Sequence, residues 1–395
     1  MTARCPNSLL SESIHQTACK PPFRATVLVG TRPEAIKMAP VARDLRAVGV
    51  DTRVLATGQH RDLVAELLPA LGTPADRDLD LMCEAQTLPA LTARVIEAVA
   101  EDLAEHRPGV LLVQGDTTTA FAGALAACYA RIPVAHVEAG LRSGSITDPF
   151  PEEANRQLLS RIATWHFAPT QRARAALELE NLAPTAIEVT GNTVIDNLHW
   201  VTERGLGTSA FASQATGRRR VLVTMHRREN HGATIGALAT AIGRLARRHD
   251  LEVVFPVHPN PAVRATVLPA LGENAAVRLL DPLNYFDFSA TLRDADLVLT
   301  DSGGVQEEAP SFGKPVLVLR NTTERPEAVE AGCARLIGTD PSVLESTVDL
   351  LLNDPGVYHD MSRIANPFGD GRAARRITQR LLADLVPGAV TERVA

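Results

Sequence analysis

Short apolar runs alternate along this chain with longer stretches of helical periodicity, and nearly every apolar run ends in a polar cluster. Residues 24–30 read RATVLVG, an unbroken run of strand length. TRPEAIKMAPVARDLRAVG follows, with Pro33 placed in the first turn of a helix and Gly49 placed to end it. A second strand is predicted at 52–57, then a loop carrying Gly58, Gln59, His60 and Arg61. Residues 86–106 have helical periodicity with an acidic outer face. Two further runs, 109–114 and 132–137, flank an Ala-rich helical stretch and form one βαβ unit. Strands at 163–168 and 186–190, with a helix over 170–180 between them, continue the series. Apolar runs separated by helices predict a parallel sheet covered on both faces.

The segment 203–219 is small, polar and rich in Gly and Ser, so it reads as a loop, and a second series begins after it. Strands are predicted at 220–224, 252–257, 277–280, 297–300 and 316–319. The fold class is therefore α/β: two doubly wound, Rossmann-like domains facing across a cleft. Residues 1–22 form a loose tail, 23–190 the first domain and 191–372 the second. An amphipathic helix over 373–385 crosses back onto the first domain, with Pro387 as its stop.

Composition narrows the function classes. A chain of 395 residues with 45% hydrophobic and 22% charged positions can fill two cores. A net charge of −6 gives no global attraction to nucleic acid or anionic lipid, and 4% aromatics are too few for a base-stacking surface. The five cysteines are scattered without a C-x-x-C pair, which favours reduced thiols in a cytoplasmic protein. The first 22 residues lack the apolar core of a signal peptide, and no later run is long enough to span a bilayer. Neither a nucleic-acid nor a membrane partner is expected.

The candidate chemistry lies where the strands end, because open parallel sheets bind ligands outside their carboxyl edges. Asp116 follows the run 109–114, Glu138 follows 132–137, and Glu152 opens a helix after Pro151. Three converging carboxylates fit proton transfer, although each also fits a helix cap or an arginine pair. Arg32 and Lys37 sit at a helix start, a position that favours an anion, without the G-x-G-x-x-G of a dinucleotide site. Asp301-Ser302-Gly303-Gly304 ends another strand; its two glycines allow close backbone approach to a pyrophosphate, and Glu308, further along, suits the two hydroxyls of a ribose. Arg325 adds a cation on a neighbouring strand end. His226 stands among polar residues, where a structural and a catalytic role both remain open. His136, Glu138, His226 and His258 are the candidates for a metal, but HExxH and cysteine pairs are missing and no metal site is assigned. A G-x-S-x-G elbow is also missing.

GTRPEAIKMAPV, TGQHRDLV, QGDTTTA, HVEAGLR, PFPEEANR, TGNTVIDNL, MHRREN, FPVHPNP and TDSGGVQEEAPSFGKPV occur in this order between residues 25 and 371. In motif and spacing the chain resembles the non-hydrolysing UDP-N-acetylglucosamine 2-epimerases. The resemblance implies the two-domain fold of the GT-B glycosyltransferases. It also implies reversible epimerisation at C2 by anti elimination of UDP, through a 2-acetamidoglucal, with no cofactor. Asp116, Glu138, Glu152 and His226 match the family's catalytic group. Arg32, Lys37, Ser302, Gly303, Gly304, Glu308 and Arg325 match its UDP site, and Phe288 falls beside the uracil. A regulatory site of some bacterial members is matched by Gln59, Gln86, Glu152, Arg227 and His258, with Ala85 where some regulated members have arginine. Asp148 stands where a small residue is expected. The family further implies a homodimer. The competing readings are a 2-epimerase of a C3-modified or uronic-acid UDP sugar, and a GT-B glycosyltransferase using a UDP-sugar donor.

Overall fold

The computed structural model describes residues 23–386 except 59–60, 84–85, 213–216, 228–229 and 231, and except the side chains of 61–64. The predicted tail, Pro387, Gln59, His60 and Ala85 lie outside the described residues. Seven parallel strands form the first sheet: β1 (Arg24–Val29), β2 (Asp51–Ala56), β3 (Arg77–Asp78), β4 (Val110–Gln114), β5 (Val134–Val137), β6 (Trp165–Ala168) and β7 (Ile187–Val189). Their order is β3-β2-β1-β4-β5-β6-β7. Six parallel strands form the second: β8 (Arg220–Thr224), β9 (Glu252–Pro256), β10 (Val277–Leu280), β11 (Leu297–Thr300), β12 (Val316–Val318) and β13 (Ala334–Leu336), ordered β10-β9-β8-β11-β12-β13. Both sheets reverse their strand order once, between β1 and β4 and between β8 and β11. Such a reversal opens a crevice at the carboxyl ends of the two strands.

The apolar runs are buried on both faces, as the absence of strict alternation implies. Along β1, Ala25, Val27 and Val29 enter one core and Leu28 the opposite one; along β4, Val110 and Leu112 part from Leu111 and Val113 in the same way. The second sheet divides alike, with Val221 and Val223 on one side and Leu222 on the other. Two edge strands differ from the sequence reading. β3 has only two residues, Arg77 and Asp78, both exposed, and β13 only three. Neither run is long or apolar enough to register as a strand; each forms because a neighbouring strand offers it a ladder.

The chain crosses between the halves twice, side by side. Gly191 (φ +89°) and Gly369 (φ +139°) touch there, and a Cβ on Gly191 would lie 3.1 Å from the Cα of Gly369. Both the backbone angle and the close approach require glycine. The helix Thr193–Glu203, just past the expected division at 190, lends Val194, Ile195 and Val201 to the first core. The helix Ala373–Leu385 packs Ile377 and Leu381, both fully buried, into that same core. Each such side chain contributes about 1.5–3 kcal/mol. Asp196 accepts the amides of Ala373 (3.1 Å) and Ala374 (2.8 Å), capping this helix from a neighbouring one. Trp165 Nε1 donates to Asp384 at 2.7 Å near its far end.

Candidate active site

The first half of the site is fixed at the reversal between β1 and β4. Glu34, only 1% exposed, accepts the amides of Gly30 (3.0 Å) and Thr31 (2.6 Å) with one oxygen and the hydroxyl of Thr117 (2.6 Å) with the other. Thr31 and Glu34 form a capping box at the start of helix Arg32–Ala47. Glu34 thereby ties the two strand ends together and sets where the next helical turn points. Burial raises its pKa, and hydrogen bonds from Thr117, Thr31 and Gly30 offset only part of that. One turn on, Lys37 Nζ donates to both oxygens of Glu138, at 2.6 and 2.7 Å.

Glu138 has φ +63°, the left-handed region that costs a residue with a Cβ about 1–2 kcal/mol. Its carboxylate is held there by Lys37, by Gln114 Nε2 and by Asn192 Nδ2 at 3.0 Å. Backbone strain of this kind concentrates where side-chain placement matters for function. Burial alone would raise the pKa of Glu138, but the Lys37 ammonium, with Arg325 and Asn192, brings it below the ordinary value. Lys37 is affected reciprocally: burial works against its charge, and Glu138 and Glu307 outweigh it and raise its pKa.

Asp116 shares a pocket of about 190 Å³ with Lys37, Glu138, Gln114, Thr117, Arg156 and Arg325. Arg156 Nε lies 3.1 Å from its carboxylate. Burial still pushes Asp116 up, and the charge of Glu138 adds to the shift. Two carboxyls in one pocket are thus driven in opposite directions. Glu152 is not among the lining residues of this pocket. It opens helix Glu152–Ile162 half-buried, and its charge acts on Asp116. Its neighbour Glu153 points inward instead, accepting the amide of Ser143 at 3.1 Å.

The second half of the site surrounds a cleft of about 850 Å³ lined by Arg32, Lys37, His226, His258, Tyr285, Phe288, Ser302, Gly304, Glu307, Glu308 and Arg325. His226, after β8, places Nδ1 3.0 Å from Asp301, after β11, and stacks on His258 with ring centroids 5.8 Å apart. Ser302 caps helix Gly303–Glu308 without a side-chain hydrogen bond. A Cβ on Gly303 or Gly304 would meet no protein atom closer than 3.7 Å, so internal packing does not demand glycine at either position. Glu308 has one carboxyl oxygen shut off from solvent with no hydrogen-bond partner. Burial, then the charge of Glu307, lifts its pKa to about 8. Arg325 is bonded through Nε to Glu307, whose charge raises its pKa further.

His258, Arg227 and Gln86, matched to a regulatory site, each have contacts of their own. His258 lies against His226, while Arg227 gives its amide to Asp301 and places its side chain 3.8 Å from Glu324. Gln86 bonds Arg94 on the helix Leu88–His106. His136 turns Nε2 to the carbonyl of Gly115 at 2.7 Å, and burial lowers its pKa to about 3. Among the described residues no group of three His, Cys, Asp or Glu side chains is arranged to hold a metal ion. Asp148 and Pro149 border a third pocket, of about 570 Å³, rather than the Glu138 pocket. Sequence reasoning missed Glu34, Gln114, Asn192, Asp301 and Glu307. Each lies in a motif quoted above, but all contact partners distant in sequence, which no local pattern reveals.

Comparison with known proteins shows the family. The family model described as UDP-N-acetylglucosamine 2-epimerase matches residues 43–382. The chain is 46% identical over 369 residues to the UDP-N-acetylglucosamine 2-epimerase of Escherichia coli (strain K12), covering 91% of this chain and 98% of the relative. It is also 46% identical over 362 residues to that of Bacillus subtilis (strain 168), covering 91% and 95%. The crystal structure of UDP-GlcNAc 2-epimerase from Neisseria meningitidis bound to UDP-GlcNAc superposes with a TM-score of 0.82 at 41% identity, over 91% of this chain and 100% of that one. The two Rossmann-like sheets are of the GT-B type these relatives share, and the chain belongs to the UDP-N-acetylglucosamine 2-epimerase family, enzymes of the isomerase class.

Proposed function

We propose that the protein interconverts UDP-N-acetylglucosamine and UDP-N-acetylmannosamine. One observation carries the reading: Pro33, Lys37 and Arg325 line both the small carboxylate pocket and the large cleft. Two cations at the junction suit a diphosphate, with the sugar on the Asp116 and Glu138 side and the nucleoside on the Phe288 and Glu308 side. The bare approach at Gly303 and Gly304 fits the same placement, as does the sugar nucleotide bound by the Neisseria relative.

The proton at C2 is weakly acidic, so direct removal and return is slow. In the proposed path UDP leaves C1 as the C2 proton is taken, and the electrons of the C2–H bond form the C1=C2 bond of a 2-acetamidoglucal. UDP then adds back to C1 while a proton is delivered to the opposite face of C2. Asp116, Glu138, Glu152 and His226 are proposed for proton transfer. Arg32, Lys37, Ser302, Gly303, Gly304 and Arg325 are proposed to stabilise the departing diphosphate. Glu308 is proposed to take the ribose hydroxyls and Phe288 to border the uracil.

NMR of the protein with UDP-N-acetylglucosamine alone in deuterated buffer tests this. The expected result is a manno product with deuterium at C2. Turnover only with an added acceptor would make it a glycosyltransferase. Strong preference for a C3-modified or uronic-acid UDP sugar would change the substrate but not the chemistry.

A further inference from the structure

Asn192 stands at the first crossing between the halves, directly after the turn that follows β7, and is 2% exposed. Every polar atom of its side chain is engaged. Oδ1 accepts the amide of Val194 at 3.1 Å, which caps helix Thr193–Glu203. Nδ2 carries two hydrogens and donates in two directions: to Glu138 Oε1 at 3.0 Å and to Glu307 Oε2 at 3.1 Å. Its backbone amide bonds the carbonyl of Phe368 at 2.6 Å on the returning segment. Glu138 belongs to the first half and Glu307 to the second, where Glu307 also takes Arg325. The result is a bonded series that joins the two halves: Lys37, Glu138, Asn192, Glu307, Arg325. A cation stands at each end, an anion inside each cation, and a neutral double donor in the middle.

The chemistry of that middle position is narrow. Two buried carboxylates need a donor each, and a group between them must supply both without adding charge. Serine has one hydrogen to give, aspartate would add a third negative charge, and leucine would leave both acids short of a partner. Asparagine also keeps the helix cap. Asn192 lines neither the small pocket nor the large cleft, so its action on a substrate would run through its neighbours.

We infer that Asn192 is a positioning residue that joins the proton-transfer carboxylate of one half to the Glu307–Arg325 pair of the other, so that the grip of Arg325 on an anion and the orientation of Glu138 are set together. The inference rests on the reading of Glu138 as an acid/base group and of Arg325 as a diphosphate ligand. Glu138 is faced by Lys37 from helix Arg32–Ala47, by Gln114 from β4, by Asp116 from the turn after it, by His136 on its own strand, and by Arg325 from the second half. Among the described residues, Asn192 alone of the hydrogen-bonding partners of Glu138 also hydrogen-bonds Glu307 of the second half.

Two variants of the full chain test this, N192S and N192D. Both keep a cap for the helix, N192S removes one of the two donated hydrogen bonds, and N192D reverses the polarity of the link. Turnover and C2 deuterium incorporation are measured with UDP-N-acetylglucosamine from acid to alkaline pH, beside thermal melting. For N192S, kcat is expected to fall about 10- to 100-fold, the cost of a misplaced acid, with KM changed less than about threefold. Its acidic limb should also move to higher pH, since a donor that favours the ionised form of Glu138 is weakened. In N192D the loss should deepen as pH rises, because the new carboxyl ionises against two others. Folded variants with kcat within about threefold of the wild type and an unmoved limb would overturn the inference, as would a lowered melting temperature with normal turnover by the folded fraction. If N192D does not fold, N192S decides alone, since serine caps as well as asparagine. A wild-type protein that neither exchanges C2 hydrogen nor forms the manno product would instead overturn the proposed reaction.

Discussion

Asp301 holds His226 from the adjacent strand end: its carboxylate lies 3.0 Å from Nδ1 of the ring and accepts the backbone amides of His226 (2.9 Å) and Arg227 (2.9 Å). Asn230 Nδ2 donates to it as well, at 3.3 Å. Burial would raise its pKa, but the ring and the two amides bring it below the ordinary value. An ionised Asp301 keeps the proton of His226 on Nδ1 and makes Nε2 the accepting nitrogen. Asp301→Asn replaces one accepting oxygen by an N–H that faces either the two backbone amides or the Nδ1 proton of His226, so the melting temperature should drop, with a loss of about 1–3 kcal/mol. Turnover of the folded variant should fall at least about tenfold. Normal turnover would mean that the orientation of His226 does not matter to the reaction.

The Lys37–Glu138 pair should behave as a coupled unit. Their side chains are 16% and 5% exposed, so removing either leaves the other charge stranded. Lys37→Met or Glu138→Gln alone should cost about 3–5 kcal/mol, while the double variant should cost clearly less than the sum. Urea unfolding of the four proteins measures the coupling. Additive losses would show that the ion pair contributes little.

Glu308 sets an expected pH dependence of ligand affinity. With its pKa lifted to about 8, the free protein holds this carboxyl protonated at neutral pH. Ribose hydroxyls that donate to it favour the ionised form, so binding releases a proton. Affinity for UDP-N-acetylglucosamine, whose diphosphate does not titrate near neutrality, should rise with pH and level off above about 8. Calorimetry in buffers of different ionisation enthalpy should show the proton release at pH 7, and Glu308→Gln should abolish it. Stability of the free protein runs the other way. The folded chain binds this proton more tightly than the unfolded one, so stability present at low pH is lost as pH rises towards 8.

Gly140, two residues after Glu138, offers a test of the scaffold. Its φ is +93°, and a Cβ there would lie 2.3 Å from the carbonyl oxygen of Ala173. Backbone cannot yield as a side chain can, so Gly140→Ala combines a disfavoured angle with a clash. A loss of at least about 2 kcal/mol, read by thermal melting, is expected. A neutral effect would mean that the helix Gln171–Leu179 shifts freely on its sheet.

The sequence by itself determined the central strands of both sheets and the edges on which ligands would bind, but not the edge strands β3 and β13. Runs such as Ala25–Val29 and Leu297–Thr300 are too continuously apolar to face water on either side, and polar residues follow each of them. That pattern is local, and it sufficed to bring Asp116, Glu138, His226 and Ser302 to strand ends, with Glu308 on the short helix after one of them. The tertiary structure decided which of those residues meet. Arg32 and Lys37 are equivalent as sequence, yet Lys37 is locked to Glu138 because Glu34 anchors the turn before it. Glu152 and Glu153 are adjacent acids, and the register of their helix turns Glu153 inward while Glu152 remains half-buried. Asn192 reads as a helix cap until Glu138 and Glu307, 54 and 115 residues away, arrive on its amide. Strand formation depends on neighbours a few residues apart, whereas the ionisation and aim of a buried side chain depend on whichever charges the fold brings within a few ångströms. Those charges come from separate strands and separate halves, and only the packed chain puts them side by side.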